Sequence, residues 1–167
     1  MAESRAVSFR EARPADGRTL FAMVEAVGTL ERNTGYAYVV YCDHFRATTL
    51  IAERDGSPVG FVLAHRPPTH PDTVFVWQVG VLPAGRGLGV AGGLLDALAG
   101  RSRGVRFLEA TVTPTNEASR RLFESFARRR GAPVAWTDGY PSTFFHGSHE
   151  PERLVRIGPF EGPGESV

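Results

Sequence analysis

The stretch from Thr73 to Ala91 constrains the fold of this chain more than any other part of the sequence. Thr73–Val81 is nearly all apolar or aromatic, as expected of a buried strand, and a glycine-rich loop follows it. Apolar residues then recur at helical spacing, at Ala91, Leu94, Leu95 and Leu98. The order strand, loop, helix predicts backbone amides exposed at the positive end of a helix. Such an arrangement binds phosphate through amides rather than side chains.

The remaining pattern alternates between strands and helices. Strands are predicted at Val7–Arg10, Thr48–Glu53, Val59–His65, Val105–Val112, Val134–Thr137 and Arg153–Ile157. Asp16 is predicted to cap a helix with an apolar face of Leu20, Met23, Val24 and Val27. Pro114–Asn116 opens another helix, in which Ala118, Leu122, Phe126 and Ala127 face inward. Asp55–Pro58 predicts a hairpin turn, and the proline-rich Arg66–Asp72 a stiff loop.

Length and composition place these elements in one domain. The chain has 167 residues, no repeat and no linker, so we expect a single α/β domain with a mixed sheet. A net charge of +1 gives no basic field for nucleic acid. No segment approaches the roughly 20 apolar residues of a membrane span, and Met1–Arg5 opens no signal peptide. Cys42, the single cysteine, is interpreted as a buried structural thiol, and the protein is expected in the cytoplasm.

Three phosphate-bearing ligands compete for the glycine loop. A nucleoside triphosphate would require Gly-Lys-Ser/Thr, and the chain contains no lysine. A dinucleotide is suggested by Gly87, Gly89 and Gly92, with Glu109 about 20 residues downstream as a ribose-binding acid. Against it, Pro83, Ala84, Gly85 and Arg86 stand between the strand and the first glycine of the motif, Glu109 lies inside its strand, and too few βαβ units surround the motif. A plain strand-to-helix turn with no ligand also remains open at this point.

The third ligand is coenzyme A, and it rests on a family resemblance. Arg86–Ala91 matches Arg/Gln-x-x-Gly-x-Gly/Ala, the pyrophosphate loop of the GNAT N-acetyltransferases, and Asn116 opens a second helix as in that superfamily. Further stretches resemble the L-2,4-diaminobutyrate acetyltransferases from about Phe9 to Phe160, and they are Thr29–Tyr36, Tyr41–Phe45, Pro71–Val79, Leu108–Asn116, His149–Glu152 and Arg156–Pro159. Glu31, where many relatives carry Asp, and Ala91 in place of Gly depart from the pattern.

The resemblance implies a fold and an activity. The fold would be that of the GNAT superfamily, a single mixed, mostly antiparallel sheet flanked by helices. The activity would be transfer of the acetyl group of acetyl-CoA to the γ-amine of L-2,4-diaminobutyrate, without a metal. The product would be the precursor that is cyclised to ectoine, an osmoprotectant. The resemblance also implies a cytoplasmic homodimer.

Residue roles are likewise implied by the resemblance. Acetyl-CoA would contact three backbone positions on the strand, the pyrophosphate loop and two positions on the following helix, namely Val79, Gly80, Val81, Arg86, Gly87, Leu88, Gly89, Val90, Ala91, Asn116 and Phe123. A backbone N–H within Val79–Val81 is the candidate oxyanion donor. Phe123 stands where the superfamily often places a tyrosine acid, so the thiolate would be protonated by Tyr36 or water, or would leave unprotonated.

Acidic and aromatic residues are expected around the diamine. The predicted substrate contacts are Glu31, Asn33, Asp72, Trp77, His149 and Glu152, and the predicted catalytic residues are Tyr36, His149 and Glu152. A protonated amine cannot attack, so a site must take its proton or desolvate it. Simpler interpretations stay open for several of these residues.

Those simpler interpretations are structural. Glu31 could be a solvated charge, Trp77 core, Asn116 a helix cap, and Arg120 with Arg121 a solvated face rather than a phosphate site. His146 and His149, with Glu152, resemble part of a metal site, but the segment is irregular and no further ligand is evident, so no metal is expected. Two further functions also stay open: acetylation of another acceptor, such as a polyamine or a protein N-terminus, and a non-catalytic coenzyme A sensor.

Overall fold

A computed structural model describes residues 6–161. From the sequence alone we expect Gly162–Val167 to be frayed, and these residues lie outside the described range. The strands are β1 Ser8–Glu11, β2 Thr49–Arg54, β3 Ser57–His65, β4 Thr73–Val81, β5 Phe107–Val112, β6 Val134–Tyr140 and β7 Glu152–Ile157. The helices are α1 Gly17–Val27, α2 Gly35–His44, α3 Val90–Arg101 and α4 Glu117–Arg130. Every strand and helix predicted from the sequence is present, with ends shifted by a few residues.

One seven-stranded sheet organises the domain, in the order β1-β2-β3-β4-β5-β7-β6. Every neighbouring pair is antiparallel except β4 and β5, which run parallel and are joined through α3. Asp55 and Gly56 adopt positive φ in the turn between β2 and β3, which confirms the predicted hairpin. The predicted mixed, mostly antiparallel sheet is therefore confirmed.

Helices cover the two faces of the sheet and create two apolar cores. The larger core packs α3 and α4 against β2–β5 and β7, with Leu94, Leu98 and Phe126 completely buried. The smaller core packs α1 and α2 against the other face and includes Tyr38 and Phe61. The functional region lies within the sheet, where β4 meets β5.

Helix α2 forms from a segment whose aromatic and β-branched composition is typical of strands. The Thr34 hydroxyl accepts a hydrogen bond from the Ala37 amide at 3.3 Å and caps the first turn. Tyr38 and Cys42, one helical turn apart, are fully buried in the smaller core. Gly17 permits the close approach of α1, because a Cβ there would lie 2.6 Å from the Val39 side chain. Tertiary burial therefore overrides local propensity in this segment.

Two sequence-based details are wrong. The Asp16 carboxylate makes no cap bond to α1; it accepts bonds from the Arg13 amide at 2.7 Å and from Arg10 at 2.8 Å. A charged neighbour thus replaces the helix amides as its donor. Ala118 is exposed, and Phe123, at 3% exposure, joins Phe126 and Ala127 on the buried face of α4 instead.

Candidate active site

Strands β4 and β5 separate half-way along their length. Their parallel pairing runs from Thr73 opposite Phe107 to Val76 opposite Ala110 and ends there, although both strands continue. At the same point the register of β4 against β3 shifts, so that Leu63 pairs with Gln78 and Ala64 with Val76. Trp77 is the extra residue, and a bulge of this kind bends a strand away from its neighbour. Beyond Val76, the edge of β4 that faced β5 is no longer paired and is therefore available to a ligand.

A cavity of about 490 Å³ fills the space between the separated strands. Its walls come from β4, β5, the loop before α2, the first turns of α4 and the segment before β7. The lining residues include Glu31, Asn33, Phe75, Trp77, Gln78, Val79, Thr111, Thr113, Asn116, Ser119, Phe123, Tyr140, Phe145, His149 and Glu152. This volume is sufficient for a small substrate together with the end of a second one.

Two carboxylates face one imidazole inside the cavity. Nε2 of His149 lies 3.8 Å from Glu152 and 4.0 Å from Glu31. Nδ1 of His149 bonds to the Glu150 carbonyl at 2.5 Å, so Nδ1 carries a proton and Nε2 is left facing the acids. The His149 ring also stacks on Phe145, with ring centroids 4.1 Å apart. These contacts fix the imidazole between the two carboxylates.

Burial perturbs one of these acids. The Glu152 side chain is 18% exposed, and desolvation raises the pKa of its carboxyl, with the nearby negative charges of Glu31 and Glu150 adding to the effect. The Thr111 hydroxyl and His149 act in the opposite direction on that pKa and only partly offset it. A carboxylate with a raised pKa in a cavity is suited to accepting a proton.

Trp77 forms the base of the cavity through an aromatic stack. Its ring lies parallel to Tyr41, with centroids 4.8 Å apart, and to Tyr38 at 6.4 Å. Behind it, the Tyr41 hydroxyl bonds to Nδ1 of His65 at 3.1 Å. Trp77 is thus held rigidly while one edge faces the cavity, and the interpretation as pure core is incomplete.

The glycine loop after β4 presents amides to solvent. Gly87 and Gly89 both have positive φ, at 74° and 68°, which glycine adopts without strain. The first intrahelical bond of α3 runs from Gly93 to the Gly89 carbonyl, so the amides of Val90, Ala91 and Gly92 precede the helical ladder. Residues 86–89 are exposed. The loop therefore fits an extended diphosphate, bound by main-chain nitrogens.

Comparisons with known proteins agree with this geometry. The model of the acetyltransferase (GNAT) family matches residues 18–127. An L-2,4-diaminobutyric acid acetyltransferase of Streptomyces coelicolor is 43% identical over 91% of this chain and 92% of its own length. One from Marinococcus halophilus is also 43% identical, over 87% of this chain and 86% of its own. This chain belongs to the GNAT family, and within it to the L-2,4-diaminobutyric acid acetyltransferases.

A solved structure extends the comparison to three dimensions. The diaminobutyrate acetyltransferase of Paenibacillus lautus, in complex with its substrate L-2,4-diaminobutyric acid and coenzyme A, superposes with a TM-score of 0.89. It is 40% identical, and the match covers 95% of this chain and 98% of that one. The fold predicted from the sequence, that of the GNAT N-acetyltransferases, is confirmed.

In this chain, the cavity brings together most of the residues that were predicted to contact the substrate. Glu31, Asn33, Trp77, His149 and Glu152 all line it, although they come from three separate parts of the chain. Of the predicted cofactor residues, Val79, Asn116 and Phe123 line it as well. Gly80, Val81 and Arg86–Ala91 continue from the cavity along β4 to the start of α3.

Two predicted residues lie outside the cavity. Asp72 precedes the paired end of β4, roughly 16 Å along the strand from Trp77. Its carbonyl accepts hydrogen bonds from the amides of Arg106 and Phe107, and its carboxylate accepts one from the Thr73 hydroxyl. Tyr36 is 79% exposed, because Tyr38, two residues later, occupies the buried face of α2 and the two positions point apart. Neither residue lines the cavity.

Several alternative roles are also decided by the contacts. Glu109 pairs with Arg156 at the centre of β5 and is not free to hold a ribose. Arg120 and Arg121 form exposed ion pairs with Glu124 and Glu117 on α4, as a solvated face does. Asn116 does cap α4, by accepting the Ser119 amide at 3.1 Å, and lines the cavity as well.

Several residues that line the cavity were not predicted as site residues, among them Gln78, Tyr140 and Phe145. Of these three, only Gln78 lies in a stretch that carries the family resemblance, Pro71–Val79. Its position directly after Trp77, as a buried polar side chain in an apolar strand, is the feature that would have singled it out. Among residues 6–161 no group of three or more His, Cys, Asp or Glu side chains is arranged to hold a metal.

Proposed function

We propose that this chain transfers the acetyl group of acetyl-CoA to the 4-amino group of L-2,4-diaminobutyrate, as the enzymes it resembles are named for doing. The observation that carries the proposal is the grouping of Glu31, His149 and Glu152 at the opening between β4 and β5. None of the residues that line this cavity is an arginine. A net negative cavity favours an acceptor that bears two ammonium groups.

Acetyl-CoA supplies an activated thioester, and this chain's residues position it. Main-chain nitrogens of Arg86–Ala91 would hold the diphosphate, and the separated ends of β4 and β5 would admit the pantetheine arm between Val79 and Asn116. A backbone N–H within Val79–Val81, unpaired with β5, would donate to the thioester oxygen as negative charge develops there.

The acidic group would prepare the amine. Glu152, with its raised pKa, would accept a proton from the bound 4-ammonium group, directly or through His149 Nε2. The neutral amine would then attack the thioester carbon, forming the C–N bond as the C–S bond breaks, and the proton that the nitrogen must lose to become an amide would pass to His149 Nε2 or to water. Glu31 and Asn33 would bind the other end of the diamine, and Trp77 would pack against it.

The leaving thiolate would receive no proton from α4. Phe123 is buried against the cavity and has no hydroxyl, and Tyr36 faces away. A thiolate is a tolerable leaving group, so departure unprotonated or with a proton from water suffices. Cys42 is fully buried, and burial raises the pKa of its thiol to about 12. We therefore expect direct transfer, without an acyl-enzyme on Cys42.

The cellular setting is part of the proposal. The product would feed ectoine synthesis in the cytoplasm, and the buried, unpaired Cys42 suits a reducing compartment. No helix within residues 6–161 is long and apolar enough to cross a membrane. A homodimer is supported by large apolar side chains on the surface, with Tyr36 79% and Phe144 73% exposed. Light scattering at several concentrations tests the dimer.

Thiol release tests the reaction. The protein is incubated with acetyl-CoA and L-2,4-diaminobutyrate, and free thiol and the acetylated position are measured by a colorimetric reagent and by NMR. A polyamine and a peptide with a free N-terminus serve as competing acceptors. We expect acetylation at N4 and a preference for diaminobutyrate. Silence at millimolar diamine, or preference for another acceptor, would refute the assignment, and acetyl-CoA binding without turnover would indicate a sensor.

A further inference from the structure

The loop that carries Glu31 and Asn33 into the cavity has no regular structure of its own. It lies between Gly28, which ends α1 in a left-handed conformation, and Thr34, which caps α2. The Glu31 side chain is 80% exposed, so its own packing does not hold it near His149. Its position must be set through the backbone of residues 29–33.

A buried polar pair holds that backbone. Nε2 of Gln78 donates to the Glu31 carbonyl at 2.7 Å, and Oε1 of Gln78 accepts from the Tyr38 hydroxyl at 3.3 Å. The same Tyr38 oxygen accepts the Asn33 amide at 3.3 Å. Gln78 is 6% exposed and Tyr38 is completely buried, so these bonds are shielded from water.

We propose that Gln78 and Tyr38 are positioning residues that hold the 29–33 loop against the bulge of β4 and thereby set the place of Glu31 and Asn33 for the diamine. This inference rests on the proposed function. The bulge makes this attachment possible. Because Trp77 is an extra residue in β4, both Trp77 and Gln78 contact the α2 side of the sheet. The bulge of β4 thus places Trp77 at the base of the cavity and also places Gln78 where it holds the 29–33 loop.

The two residues can be separated experimentally from direct substrate contact. Gln78 lines the cavity, so its replacement alone is ambiguous, whereas Tyr38 is buried and absent from the lining. Tyr38→Phe removes one hydroxyl, keeps the ring that packs against Phe21 and Trp77, and acts on the diamine only indirectly, through the loop and through Gln78. Gln78→Met removes both bonds of the amide at similar volume.

The expected signature is a change in binding rather than in turnover. Both variants should raise KM for diaminobutyrate about tenfold, the effect of losing one or two buried hydrogen bonds, with KM for acetyl-CoA and kcat within twofold of the parent. The double variant should resemble the worse single one, because both changes release the same loop. Arg32→Gln is the matched control, since it breaks an exposed ion pair of this loop with Glu25 and should leave all constants unchanged.

Hydrogen exchange provides a readout that needs no substrate. The Asn33 amide should exchange slowly in the parent and at least tenfold faster in Tyr38→Phe, with unchanged exchange in β3. Faster exchange with unchanged KM for the diamine would show a held loop without a role in binding and would overturn the proposal. Equal effects on both KM values, or an unprotected Asn33 amide in the parent, would also overturn it. If the parent acetylates no diamine, the proposed function fails while the exchange result still reports on the loop.

Discussion

Nε2 of His149 lies 3.8 Å from a carboxylate oxygen of Glu152, with Glu31 on its other side at 4.0 Å. These distances exceed a hydrogen bond and leave space for a proton-bearing group among the three side chains. The segment that carries His149 is tied to the start of α4, because the Thr115 hydroxyl donates to the Glu150 carboxylate at 2.6 Å. The charged group is therefore fixed relative to Asn116 and the rest of the cavity.

The pH dependence should report the charge around Glu152. Its pKa is raised, chiefly by burial, so kcat/KM should fall as the pH drops through that value and the carboxylate takes up a proton. Glu31→Gln removes a charge that raises the pKa, and the acidic limb should move to lower pH. His149→Asn removes a ring whose electrostatic effect lowers that pKa, and the limb should move to higher pH. Shifts in the same direction for both variants would contradict Glu152 as the titrating base.

Loss of the cavity base should impair turnover more than cofactor binding. Trp77→Ala removes the ring that stacks on Tyr41 and should lower kcat/KM for the diamine about 100-fold, as misplacement of a substrate does. Acetyl-CoA affinity, measured by calorimetry, should stay within a few-fold of the parent. Trp77→Phe keeps an aromatic wall and should recover much of the activity. Parallel loss of acetyl-CoA binding and turnover would show that Trp77 belongs to the cofactor pocket.

The sequence predicted the secondary-structure elements and the chemistry of the site better than it predicted which way individual side chains point. The positions of the strands and of α1, α3 and α4 followed from periodicity, whereas α2 was not predicted; the glycine loop followed from its place between β4 and α3. The bulge at Trp77 was not predictable, because nothing in an apolar run marks which residue will lack a partner. Without it, Gln78 could not be assigned to the same face as Trp77. The prediction of Asp72 as a substrate contact rests on its acidity, and that of Tyr36 on a hydroxyl for the leaving thiolate. The length of β4 and a two-residue offset on α2 leave both residues outside the cavity lining.

Turnover should not depend on the single cysteine. Cys42 is buried in the smaller core, and burial raises the pKa of its thiol to about 12, so almost no thiolate exists at neutral pH. Cys42→Ala should keep kcat within about twofold while lowering the melting temperature through the cavity it leaves. Rapid mixing with acetyl-CoA alone should give no burst of free thiol. A burst that disappears in Cys42→Ala would demonstrate an acyl-enzyme and would exclude direct transfer.

The pyrophosphate loop can be tested with two glycines that share a conformation. Gly89 and Gly56 have φ of 68° and 75°, and a Cβ at either would meet no neighbouring atom within 4 Å. Valine at either position should therefore cost about 1–3 kcal/mol of stability through backbone strain alone. Only Gly89→Val alters the amides at the start of α3, so it should raise KM for acetyl-CoA at least tenfold while Gly56→Val leaves it unchanged. Thermal melting checks that the two variants are equally destabilised. Equal KM values for acetyl-CoA in the two variants would mean that the diphosphate lies elsewhere.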